Sequence, residues 1–476
     1  GPAPAVPPTL AAPPPRADGP PGRRWIPADE YARLHGPAAT AWSGPERIDA
    51  ELRRSLLQFP ARETPEAART LVETLLAPHP RDKSLFIING TLFATRRFLT
   101  TRKHESLAVM LYAAQGRSQP LPSVGFSVAV DATGGTRGNC NEDASVKVTT
   151  PTVVIAKRGG YGQCGVLIPN PYFGARVGSR NAGDLSLWEA EVEKLRAAAA
   201  ARANRDGRVF WRGGCGNHER ERVDKRSGDA IIPAGHCDAE KEDGNRARLL
   251  AASLTVSRPD LFDVKCSGLD PPKNFSCVEK TSRRGFDLGF DAAELAAARD
   301  AVLAEPSEAT DATWVEPEDY AKYAAVLNLP GQISGGYSRN LNHLWAVGAV
   351  VVLWDTPIVE WYYPALEAGA THLVVDRASA ADVVGVALRD DAAASALRRG
   401  AAAVDRDYVS ADAIAAHLAT VTAALRDRAG FALVEAELLR LFEANDACDA
   451  FVLVQIDEKR RAKPGGSVCD ALRGAL

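Results

Sequence analysis

Three short stretches hold residues able to grip an anion or move a proton. The first runs from Asn328 to Trp354, NLPGQISGGYSRNLNHLWAVGAVVVLW. It passes from a glycine-rich turn containing Ser334 and Gly335 through Ser338, Arg339 and Asn340 into a run of valines. Glycines let backbone amides approach an anion, and a serine at a helix start offers both a cap and a hydroxyl. Arg339 or Asn340 would add charge or hydrogen bonds to a diphosphate. The spacing is neither G-x-G-x-x-G nor a Walker A motif, and a plain glycine turn ahead of a buried helix is the competing reading.

The second stretch, VFWRGGCGNHERERV, sets Arg212 and Gly213 at the end of an apolar strand, with Arg220 further along. Two loops that each bring arginine and glycine could close on one phosphorylated ligand. The alternative makes Arg212 a surface ion-pair partner. The third, LPSVGFSVAVDATGG, ends a strand at Asp131. A carboxylate there can serve as a general base, and it can equally cap its own turn. His343 and Trp345 read as core or supporting residues. The pair Tyr362–Tyr363 fits either stacking on a sugar or packing under the loop.

The elements that must position these residues alternate. SLFIING, GFSVAV and PTVVIAKR read as short buried strands, and DLSLWEAEVEKLRAAAAARANRDG as the clearest helix. The pattern then restarts with the strand RVFWRGG, the helix NRARLLAASL and the strand LFDVKC. The helix DAAELAAARDAVLAEP follows, opened by Asp291 and closed before Pro306. GAVVVLW and HLVV are further strands, with helices expected at about 379–400 and 410–428. Strands alternating with helices imply parallel βαβ units, hence an α/β chain of two doubly wound halves.

A chain of 476 residues exceeds one ordinary core. Residues 2–22 are rich in proline and alanine, as in a linker or stem. A formal net charge of -3 supplies no electrostatic footprint for nucleic acid. The longest apolar run, Leu344 to Trp354, is too short to cross a bilayer. Eight cysteines with no C-x-x-C pair point to disulfides in a secretory compartment, with reduced buried thiols as the alternative. The sequons at Asn89 and Asn274 lean the same way.

The blocks VFWRGG…HERERV, SRPDLFDV, YAKYAAVLN, SRNLNHLWAVGAVVVLWDTPIVEWYYPAL and THLVV occur in the order seen in glycosyltransferase family 90. That family includes Rumi-type protein O-glucosyltransferases and fungal capsule-associated xylosyltransferases. The chain resembles it over about residues 120–410, most strongly from 316 to 375. The resemblance implies a GT-B fold of two facing Rossmann-like doubly wound domains. It implies an inverting transferase that takes UDP-glucose or UDP-xylose, needs no metal or other cofactor, and acts on a hydroxyl of a protein or glycan acceptor.

Residue by residue, Arg212 and Arg220 match the family's strand-Arg-Gly arginine and the arginine of its following Glu-Arg pair. Lys322, Tyr323 and Asn328 match the segment leading into the donor loop. Ser338 matches a serine at the start of the donor helix, and Glu360 the glutamate before the aromatic pair. Asp131 lies where the family places its base, although Asp-Ala-Thr replaces the usual Asp-x-Pro. The donor-binding set implied is thus Arg212, Gly213, Arg220, Ser334, Gly335, Ser338, Arg339, Asn340 and Glu360.

The expected organisation is a stem at 1–24, an acceptor-side domain at 25–206, a donor domain at 207–404, and C-terminal helices at 405–476 packing back across both. A C-terminal ALRGAL is no ER-retrieval signal, so the expectation is a Golgi or ER-lumen protein with an N-terminal membrane anchor preceding the stem. A catalytically silent relative acting as a lectin-like or chaperone-like binder is the alternative.

Overall fold

A computed structural model describes residues 43–78, 82–117, 120–129, 136–139, 150–158, 163–173, 183–214, 222–223, 230–232, 242–267, 291–311, 315–331, 340–356, 358–459 and 461–475. These fall into two compact units. One lies within Trp25–Glu191, Ile358–Ala365 and Asp407–Leu476; the other lies within Val192–Pro357 and Leu366–Arg406.

The first unit opens with helices α1 (Gly44–Leu57) and α2 (Pro65–Leu76), each with proline in its first turn. Strands β1 (Ser84–Ile88) and β2 (Thr91–Thr95) form a hairpin turned by Asn89 and Gly90. Both turn residues have positive φ, 49° and 73°, the combination that Asn-Gly supplies at least cost. Helix α3 (Arg102–Gln115) and strands β3 (Val124–Ala129), β4 (Thr152–Val154) and β5 (Val166–Leu167) follow. Helix α4 (Leu185–Ala200) is capped by Asp184, whose carboxylate accepts from the Ser186 and Leu187 amides.

The second unit is built on strands β6 (Asp206–Gly213), β7 (Phe262–Ser267), β8 (Thr310–Asp311), β9 (Tyr323–Asn328), β10 (Val350–Trp354) and β11 (Leu373–Val375). They form one sheet in the order β8-β7-β6-β9-β10-β11, every adjacent pair parallel. Within this unit the order is third-second-first-fourth-fifth-sixth, that of a doubly wound α/β sheet. Every residue of β10, VVVLW, is buried, as expected of an interior strand covered on both faces.

Alternation along β6 assigns its two faces. Val209 and Trp211 enter a core with helices α5 (Glu242–Ser257) and α6 (Ala292–Ala304). Phe210 and Arg212 point to the opposite face. Helix α6 starts at Asp291, whose carboxylate accepts from the Ala293 and Glu294 amides. The helical stretch expected at 379–400 is two helices, α7 (Ala380–Arg389) and α8 (Asp391–Val404), because Asp390 caps a new helix through the Ala392 and Ala393 amides.

The chain then returns to the first unit through α9 (Ala411–Ala429), which ends at Gly430 with a left-handed φ of 59°. Strands β12 (Phe451–Ile456) and β13 (Ala462–Ser467) complete its seven-stranded sheet, ordered β13-β12-β2-β1-β3-β4-β5. Around Phe86 the rings of Phe442 and Phe451 pack edge-on at 5.1 and 5.2 Å.

The α/β class holds, and two expectations about this unit need correction. Its sheet is mixed: β3–β4 and β4–β5 are parallel, and the other pairs are antiparallel. A two-residue Asn-Gly link cannot make a parallel crossover, so β1 and β2 must run antiparallel. The region 405–476 is also not helical throughout. FVLVQI is an apolar, β-branched run that adds a strand to the sheet edge. A disulfide joins Cys448, ahead of β12, to Cys469, beyond β13. Cys164 and Cys266 are disulfide-bonded too, so all four described cysteines are paired.

Candidate functional site

In the parallel unit the strand order reverses between β6 and β9. In open α/β sheets this is where connections leave toward opposite sides and a crevice forms at the carboxyl ends, the usual ligand position. The residues at those ends are Gly213, the last of β6, with Gly214 after it, and Asn328, the last of β9, with Leu329 and Pro330 after it. Gly213 is required by packing, since a Cβ there would stand 2.5 Å from the Trp211 ring.

One side chain ties both strand ends together. Arg248, on α5, is 7% exposed. Its Nε and Nη2 donate to the Pro330 carbonyl at 3.2 and 2.9 Å, and its Nη1 donates to the Gly214 carbonyl. The guanidinium lies 5.5 Å from the centroid of the Trp211 ring. Burial lowers its pKa to about 10, with no carboxylate among the described residues opposing that shift. Sequence reasoning passed over Arg248. The only trace it leaves is a charge interrupting the apolar helical run NRARLLAASL.

Arg212 occupies a different environment from the one expected of a ligand-gripping arginine. Its Nη2 donates to Asp263 Oδ1 at 2.8 Å, and its Nη1 donates to the carbonyls of Asp263 and Trp211 at 2.7 and 3.0 Å. The Arg212 and Asp263 side chains are 9% and 7% exposed. The guanidinium sits 4.6 Å from the Phe210 ring centroid, and the Tyr323 ring stacks on Phe210 at 4.0 Å. Tyr323 Oη donates to Asp263 Oδ2 at 2.9 Å; burial and the neighbouring Asp263 charge raise its pKa. Parallel register explains the meeting: Asp263 pairs with Phe210, two residues before Arg212, on the same sheet face. The geometry therefore matches the ion-pair alternative for Arg212 in its chemistry, but the pair is buried rather than at the surface.

Glu360 belongs to the other unit. It is fully buried, and Asn170 Nδ2 donates to its Oε2 at 2.9 Å. Its Oε1 meets no hydrogen-bonding partner among the described residues. Burial pushes the carboxyl up to about 8, against a smaller lowering by Asn170, so the group is mostly protonated at neutral pH. Glu360 is thus a buried, mostly neutral acid held by an amide within this unit. Tyr362 and Tyr363 are likewise buried and meet edge-on at 5.1 Å, which resolves their two readings in favour of packing. His343 and Trp345 are buried as expected.

Lys322 pairs with Asp319 at 2.6 Å on the surface, and Tyr323 and Asn328 are the first and last residues of β9. Asn340 opens the short helix Asn340–Leu344. Asp131, Arg220, Ser334, Gly335, Ser338 and Arg339 lie outside the described residues, as does Asn274. Asn89 is exposed in its hairpin turn, a position open to glycan attachment.

The structure thus brings Gly213 and Asn328 to the ends of adjacent strands and adds Arg248. It commits Arg212 to an ion pair and sets Glu360 in a different core. No family model and no curated protein sequence matches the chain.

Proposed function

We propose that this protein is an inverting glycosyltransferase of the family-90 type, which moves glucose or xylose from a UDP-sugar to a hydroxyl of a protein or glycan acceptor. One observation carries the reading. The sequence blocks that resemble the family's donor motifs follow β6 and β9, the two strands between which the order of a six-stranded parallel sheet reverses. In this reading the parallel unit is the donor domain, the mixed-sheet unit is the acceptor domain, and together they form a GT-B enzyme.

By its resemblance to the family's base position, Asp131 is the base in this reading. It takes the proton of the acceptor hydroxyl while that oxygen bonds to the anomeric carbon. The bond from that carbon to the diphosphate oxygen breaks on the opposite face, the electron pair leaves with UDP, and the configuration inverts. Charge growing on the departing diphosphate requires cations and backbone N–H groups directed at it. Ser338, Arg339 and Asn340 fill that role by their resemblance to the donor loop. Paired cysteines favour an oxidising compartment, in keeping with the Golgi or ER lumen.

Calorimetric titration of UDP in the presence of EDTA tests the proposal. Saturable binding supports it and justifies a panel of UDP-sugars. Binding only after manganese is added keeps the transferase and removes its metal-free mechanism. No binding in either condition favours the silent-binder alternative.

A further inference from the structure

Helix α5 and the end of β9 hold more polar chemistry than the motifs account for. Asn245 lies one helical turn before Arg248 on α5, so the two side chains share a face. Asn245 is fully buried, yet neither its Nδ2 nor its Oδ1 has a hydrogen-bonding partner among the described residues. Asn328 Oδ1, at the carboxyl end of β9, is buried in the same unpartnered state. Buried amides are rarely left idle, because each lost hydrogen bond carries a desolvation penalty. Arg248 has five N–H donors, of which three meet the Gly214 and Pro330 carbonyls.

We infer that Arg248 and Asn245 form the diphosphate end of the nucleotide-sugar site, with Asn328 Oδ1 accepting from a hydroxyl of the same ligand. The inference rests on the reading of this unit as a nucleotide-sugar domain. Three features support it independently of the motifs. Arg248 is a buried cation with no carboxylate partner among the described residues, and an anionic ligand would supply a counter-charge. The α5 helix follows β6 in the chain, and Asn245 lies in its first turn, where free amides favour negative charge. The two groups left over are an amide donor and carbonyl acceptors, which suit a ligand offering phosphate oxygens and hydroxyls together. Arg248 also fixes the relative position of the β6 and β9 ends, so anion binding and loop placement share one side chain.

The test is titration of UDP, inorganic pyrophosphate and uridine into the wild-type protein and the Arg248→Gln, Arg248→Lys and Asn245→Leu variants, with thermal melting of each. Folded Arg248→Gln should bind UDP and pyrophosphate at least a hundredfold more weakly and uridine unchanged. Arg248→Lys should fall between it and wild type. Asn245→Leu, which replaces an unpartnered amide by an apolar side chain of similar size, should weaken UDP about tenfold. If Asn245→Leu instead melts higher and binds UDP as wild type does, the amide faces no ligand and the inference fails. It fails also if uridine weakens as much as UDP in folded variants. Wild-type protein that binds pyrophosphate but not UDP would retain the anion site and remove the nucleotide-sugar reading. Wild-type protein that binds neither would remove both.

Discussion

Arg212 and Asp263 form a buried ion pair, Nη2 to Oδ1 at 2.8 Å, on the face of the parallel sheet opposite its main aliphatic core. Tyr323 donates to the second carboxylate oxygen, so both oxygens are engaged. Removing one member leaves the other charge stranded. Asp263→Asn should therefore cost about 3–5 kcal/mol of folding stability. A double variant, Arg212→Met with Asp263→Leu, should cost less than the single change because no unpaired charge remains. Urea unfolding of the three proteins checks this; a double variant less stable than Asp263→Asn would contradict it.

Glu360 gives a pH signature. Its carboxyl is raised from 4.5 to about 8 by burial, so the folded state holds the proton more tightly than the unfolded chain. This contribution to stability is present in full below about pH 4.5 and is lost as pH rises through about 8. Glu360→Gln removes the titration while keeping the Asn170 contact possible. At pH 5 the variant should melt close to wild type. By pH 9 it should be the more stable, by something on the order of 3–5 kcal/mol. Melting curves across that range would show the gap widen upward; a gap widening toward acid pH would refute the assignment.

Two helical glycines should respond oppositely to alanine. In an open helix alanine is favoured over glycine by about 1 kcal/mol. A methyl added at Gly385 on α7 would meet only ordinary contacts, the nearest being Arg389 at 3.5 Å, so Gly385→Ala should stabilise. At Gly400 on α8 the Cβ would stand 2.0 Å from the Ala370 carbonyl oxygen. Gly400→Ala should destabilise by about 1–3 kcal/mol. Opposite shifts in melting temperature are expected, and two shifts of the same sign would exclude this account.

Asp131→Asn separates an active transferase from a silent relative. The substitution removes the base and leaves the donor side untouched, so turnover should fall by about 10²–10⁴-fold with UDP affinity unchanged. Sugar-transfer kinetics beside UDP calorimetry decide it. Unimpaired turnover would move the base elsewhere.

The sequence by itself determined the α/β class, most strand and helix positions and the cap at Asp291, because these depend on local periodicity and on short side chains beside free amides. It also marked Gly213 as lying at a strand end, whereas the strand that ends at Asn328 was not read from the sequence. Tertiary structure decided where the charges go. Arg212 meets Asp263, 51 residues away, only because β6 and β7 pair in a register that puts both on one face. Arg248 reads as an ordinary helical charge until α5 is laid across the ends of β6 and β9. Glu360 sits beside its aromatic neighbours in sequence, but the Asn170 contact, 190 residues distant, and full burial set its proton affinity. The hairpin of β12 and β13 likewise joins a sheet begun by residues far earlier in the chain. Local pattern fixes the elements, whereas burial and pairing are properties of contacts distant in sequence.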